Sequence, residues 1–202
     1  SCGNLPEVEQ AAQLGIGAVG LYRTELLYLV DKEPPSVDEL AAHYAAVIAA
    51  AGDAPVTFRL LHADSSLNLA WLHAGRELNP ALGVAGIRAL FAREKVLREQ
   101  LQAILRASVG SQARIAVPFL TDTGDLRRLK EVLFEERLEL RKALVPFQER
   151  VAVGAVLETP AAALGARDIA RESDFVAVAL DALVQHLLAA DRDNHELAGS
   201  FL

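Results

Sequence analysis

The sequence is poor in several features that would fix its class at once. It has one cysteine in 202 residues, so no disulfide can form within the chain, which favours a reducing compartment. That residue, Cys2, lies near the terminus and reads as an inert thiol. Methionine is absent altogether. The chain therefore does not begin at its own start codon, and the expectation is a fragment of a longer protein. There is no basic run and no low-complexity tract. The formal net charge of -7 gives no attraction to nucleic acid or to an anionic membrane, so neither is expected as a partner. No apolar segment reaches membrane-spanning length without a charge or a turn signal, and no signal peptide is visible. The expected location is the cytoplasm.

What is present is a chain that is 52% apolar and long enough to bury one substantial core. Its most informative stretch runs from Val151 to Ala163. An apolar run ends in Glu158, and Pro160 with small helix formers follows at once. That is a buried strand delivering a carboxylate to its C-terminal end, where parallel α/β sheets bind ligands. Four more strands are expected over Ala18–Tyr22, Val56–Leu61, Arg114–Val117 and Phe175–Leu180. Helices are expected between them. Asn4 caps one that ends at Gly15, and Ser36 and Glu39 form a capping box. A loop is expected over Asp31–Pro35 and a short helix around Leu67–Ala74. One long helix is expected from about Gly86 to Ala107, a charged one to about Leu144, one over Pro160–Arg171 and one from Leu183 to about Ala190. Continuous apolar strands joined by helices mean a parallel sheet. A doubly wound open sheet and a (β/α)8 barrel both fit, although five strands are too few to close a barrel.

Particular segments go further. Gly17–Leu27 (GAVGLYRTELL) resembles the GxGLYRTEFL signature of the phosphoenolpyruvate-utilising enzymes. Asn79–Gly83 with Gly86-Ile87-Arg88 is similar to their NPALGxRGIR segment, and Gln100–Ser108 to one of their helices. Leu157–Ala162 resembles their VETPAA strand end. Phe175–Arg192 follows their DFFSIGTNDLTQYTLAVDR segment. Within the family the likeness is greatest to the C-terminal phosphoenolpyruvate-binding domain of enzyme I, the phosphoenolpyruvate–protein phosphotransferase of the sugar phosphotransferase system. The resemblance implies a TIM-type (β/α)8 barrel, incomplete here, with about five or six of its eight units. Residues 1–202 would be one such partial domain, starting just after the first barrel strand.

The resemblance also implies a chemistry. Phosphoryl transfer from phosphoenolpyruvate needs cations on the phosphate, a divalent metal and a nucleophilic histidine. Arg23, Arg59 and Arg192 fall on phosphate-clamping arginines, for which a guanidinium fork is well shaped. Glu158 matches one of two magnesium ligands. The other falls on Ala182, with Asp181 one position early, where it replaces a phosphate-binding asparagine and is only a conditional ligand. A fourth arginine falls on Ala85. The loop after Arg59 lacks the glycines and lysine of the pattern and places His62 near the site. The histidine-bearing domain would be a separate partner, and a homodimer is expected.

Three functions follow from this. The first is the substrate domain of a magnesium-dependent phosphotransferase of the sugar transport system, with an impaired site and inactive alone. The second is a non-catalytic domain kept for dimerisation or regulation. The third, weaker, is an oxo-acid or acyl-coenzyme A lyase on a related barrel, using Glu158 and Asp181.

Overall fold

Short, mostly apolar runs fold as five strands, three of them closed by a charged residue, Arg23, Arg59 or Glu158. In the computed structural model, which describes residues 1–30, 33–67 and 69–201, they are β1 (Val19–Arg23), β2 (Val56–Arg59), β3 (Arg114–Val117), β4 (Ala152–Leu157) and β5 (Phe175–Val178). All are parallel, in the order β1-β2-β3-β4-β5. A strictly sequential order has no reversal point, and right-handed crossovers then place every connection on one face. This rules out the doubly wound alternative. The sheet is an open α/β arc of the kind found in part of a TIM-type barrel.

The helices are α1 (Leu5–Gln13), α2 (Glu25–Tyr28), α3 (Val37–Ala51), α4 (Ile87–Ala92), α5 (Glu94–Ala107), α6 (Thr123–Lys142), α7 (Pro160–Leu164), α8 (Ala166–Glu172) and α9 (Leu180–Leu188). Short 3-10 turns cover Pro80–Leu82 and His195–Phe201. Both expected caps form: Asn4 accepts from the Glu7 N–H, and Ser36 and Glu39 close a reciprocal capping box. α1 packs on α3, α3 on α5, α5 on α6 and α6 on α8, a single layer that follows the strand order. Phe58, Ile115, Val117, Val153, Ala155 and Leu157 bury their side chains in the shared core. The alternate residues Thr57, Arg59, Ala116, Val156 and Glu158 point to the opposite, concave face.

Several expected elements differ. The long helix from Gly86 is two helices, broken at Arg93 with φ -126° and ψ 61°. Neither glycine nor proline marks that break. Tertiary contacts set it: the Ile87 N–H donates to the Pro118 carbonyl at the end of β3, while α5 packs on α3 and α6. The Pro160 helix is likewise divided, at Gly165. α9 starts at Leu180 rather than Leu183, which puts Asp181 in its first turn. The described residues of Leu67–Ala74 form turns, not a helix, and residue 68 lies outside the described residues, as do 31 and 32 of the expected loop. α2 was not expected. Cys2 pairs in parallel with Tyr22: its N–H donates to the Leu21 carbonyl at 2.9 Å, and its carbonyl accepts from the Arg23 N–H at 2.8 Å.

Two glycines mark close approaches. A Cβ on Gly154 would lie 2.3–2.4 Å from the Phe175 ring of the neighbouring strand. Gly86, at φ +51°, would place a Cβ 2.7 Å from that of Phe119. Phe119 itself has φ 58°, a conformation that a bulky residue holds only when its surroundings impose it.

Candidate functional site

The side chains singled out by the sequence lie at or beyond the C-terminal ends of the strands. Arg23 and Arg59 are the last residues of β1 and β2 and are register partners across the two strands. Their side chains therefore share a face. Glu158 follows β4 directly. Asp181 lies just beyond β5, and Arg192 follows α9. Together with His62 these residues line one open cavity of about 1060 Å³, which Asp64 and Ser66 also border. The cavity thus brings together all five expected site residues.

Their charges are already partly committed. Arg59 Nη2 donates to Glu25 Oε1 at 3.0 Å, and its Nη1 lies 3.8 Å from Glu158 Oε1. Glu25 Oε1 also accepts from the His62 N–H at 3.0 Å. Arg192 Nη1 pairs with Asp181 Oδ2 at 2.9 Å. Among the described residues, Arg23 has no carboxylate within salt-bridge distance, so its guanidinium is the cation least occupied by the protein itself.

Glu158 is 1% exposed, and its Oε2 has no hydrogen-bond partner among the described residues. Burial pushes its pKa up to about 7, against the pull of Arg59. His62 Nδ1 lies 3.5 Å from that Oε2. Burial, reinforced by Arg59, pushes the His62 pKa down to about 3. The imidazole is therefore neutral near pH 7, and the contact is not an ion pair. Arg59 Nε is likewise buried without a partner. The cavity thus presents one unpaired buried donor and one unpaired buried acceptor.

A hard divalent cation suits the lone Oε2 of Glu158, and magnesium takes one or two protein carboxylates with phosphate and water. Asp181, the second carboxylate expected from the sequence, is paired with Arg192 here and would have to release it to serve. Among the described residues no group of three or more His, Cys, Asp or Glu side chains could hold an ion. The donor set therefore fits a cation whose shell a bound ligand completes, not a closed protein cage.

Two contributors carried no role in the sequence reading. Glu25 lies two residues past Arg23 in the YRTE segment, and that neighbour was the only signal for it in the sequence. His186, on α9, bridges three segments: its Nδ1 lies 2.7 Å from the Ala182 carbonyl oxygen and 3.1 Å from that of Glu158, and its Nε2 lies 3.2 Å from that of Ala81. The rings of His62 and His186 flank Phe119 at 5.6 and 5.9 Å between centroids. Ala85, at the position of the fourth arginine, is 1% exposed.

A family model described as "PEP-utilising enzyme, PEP-binding domain" matches residues 2–201. The phosphoenolpyruvate-protein phosphotransferase of Listeria monocytogenes serovar 1/2a is 34% identical over 192 residues, which is 95% of this chain and 34% of that protein. Proteins of the same name from Geobacillus stearothermophilus and Lactococcus lactis subsp. cremoris are each 35% identical over 97% of this chain, again 34% of their own length. The chain thus spans about a third of the length of the curated relatives it matches. With strand-end arginines and a buried glutamate around one cavity, and that match from end to end, the chain belongs to the phosphoenolpyruvate-utilising enzymes, in their phosphoenolpyruvate-binding domain.

Proposed function

We propose that this chain is the substrate-binding part of a phosphoenolpyruvate–protein phosphotransferase, a partial barrel domain acting with a separate histidine-bearing domain. The observation that carries the proposal is the register pairing of Arg23 with Arg59, with Glu158 facing the same cavity. Two adjacent guanidinium groups suit a phosphate, whose oxygens accept their fork-like donors. In the reaction, the bond from phosphorus to the enol oxygen breaks and a bond from phosphorus to the histidine nitrogen forms. The electron pair returns to the enolate of pyruvate, which then takes a proton at carbon. Arg23 and Arg59 hold the phosphate and offset its charge throughout. A divalent cation, magnesium by family resemblance, would supply a further positive charge shared between protein and phosphate oxygens. Glu158 would hold it, with Asp181 conditional on release from Arg192.

The same residues imply a weakened site. Ala182 and Ala85 withhold a carboxylate and an arginine, and loss of one such polar contact costs on the order of 10²–10³ in rate. Turnover well below that of the relatives is therefore proposed. A second reading, a domain retained for assembly or regulation, draws on the same two alanines.

The test is a calorimetric titration of phosphoenolpyruvate into the protein with magnesium present. Binding in the micromolar to millimolar range, weakened about tenfold or more by Arg59→Lys, is expected because a lysine cannot reproduce the fork. Absence of binding at millimolar ligand would remove the substrate reading and leave the second.

A further inference from the structure

We propose that Gln100 is a positioning residue for the phosphate-binding arginines, acting through Thr24 on the ends of β1 and β2. The side chain sits on α5, on the apolar stripe between Leu97 and Ile104, and is completely buried. A buried amide is costly unless its donors and acceptor are met. Here all are met, and most of the contacts lead to the site. The Gln100 Oε1 accepts from the Leu61 N–H at 2.9 Å. Its Nε2 donates to Thr24 Oγ1 and to Tyr44 Oη, both at 3.1 Å. Thr24, also fully buried, donates from Oγ1 to the Arg59 carbonyl at 2.9 Å.

One side chain thus spans the two strand ends just where their pairing stops. The last β1–β2 register pair is Arg23 with Arg59, so the ladder holds neither strand beyond these two residues. Thr24 follows Arg23 directly and holds the carbonyl of Arg59, while Leu61 lies two residues past Arg59. Gln100 ties both points to the rigid helical layer. The Tyr44 arm leads the other way, into the core, and serves as an internal control.

The two arms make the role testable, and only the ligand arm of the test rests on the phosphoenolpyruvate reading. Thr24→Val removes the donor to Arg59 at nearly constant volume, with Thr24→Ala in reserve should the valine variant not fold. Thr24→Ser keeps the hydroxyl. Tyr44→Phe removes only the core arm. Two quantities are read in each variant: phosphoenolpyruvate affinity by calorimetry with magnesium, and the NMR resonance of Arg59 Nε–H, a buried group with no partner in the protein. Thr24→Val is expected to weaken binding about tenfold and to shift that resonance. Thr24→Ser should restore both, and Tyr44→Phe should lower Tm while leaving both unchanged. The proposal is overturned if Thr24→Val leaves the Arg59 resonance in place, or if Tyr44→Phe moves it equally. Failure of the unsubstituted protein to bind phosphoenolpyruvate would instead remove the ligand reading, and the Arg59 resonance would still decide the positioning role.

Discussion

At the scale of single residues, Glu158 has the most to say about the site. Its pKa is raised by burial from 4.5 to about 7, so the folded protein holds this proton more tightly than the unfolded chain does. Between those two values the unfolded state binds fewer protons than the folded one, so stability falls as pH rises from about 4.5 through about 7. Above pH 7 the folded protein carries the full cost of a buried carboxylate. Glu158→Gln removes that cost. Thermal melts should therefore show the variant more stable than the parent by several degrees at pH 8 and equal to it near pH 4. The same change should abolish any dependence of phosphoenolpyruvate binding on magnesium, measured by titration with and without EDTA. A buried carboxylate with a raised pKa at a strand end that borders a cavity marks a candidate ligand-binding group.

At the scale of elements, the strands and the helices obey different rules. Each strand is short and mostly apolar, and three are closed by a charged residue, so strand ends could be read locally to within a residue or two. Glycine 154 shows the tertiary constraint that adds to this. Its missing side chain leaves room for the Phe175 ring of β5, and the register pairs these two residues. Gly154→Ala should destabilise the protein by about 1–3 kcal/mol through this overlap. Adding Phe175→Ala to that variant should cost less than it does in the parent, a coupling that a double-mutant cycle in denaturant would measure. The broken helices follow from the same kind of constraint. Periodicity carried the apolar stripe straight through Arg93, but α4 is bonded to the end of β3 and α5 to the helical layer. Two anchors in different places break a helix that its own sequence would continue.

At the scale of the whole molecule, the open edge of the sheet matters most. Val176 and Val178 on β5 are 38% and 59% exposed, and Leu180, Leu187 and Leu188 of α9 are exposed beside them. A parallel sheet edge with uncovered apolar residues favours association. A homodimer is one way to cover this surface, and strands supplied by another chain or by a longer parent are another. Light scattering coupled to size exclusion should give a mass above the 21.7 kDa of one chain, and Val178→Lys should shift it toward that value. A monomer at all concentrations would count against the expectation.

The sequence by itself determined the order and kind of nearly all the elements, and it located Arg23, Arg59 and Glu158 at strand ends and Asp181 and Arg192 in the segment after the last strand. It could do so because strand and helix periods, caps and strand-closing polar residues are local properties of the chain. Only the tertiary structure decided how those groups are engaged. Glu25 and Glu158 share Arg59, Asp181 is occupied by Arg192, and Gln100 reaches two strand ends from a helix remote in sequence. A glutamine on an apolar stripe was a visible anomaly, but its partners Thr24, Tyr44 and Leu61 become neighbours only once the sheet has formed. Burial and pairing depend on residues far apart in the chain, and these set the charge on Glu158 and His62.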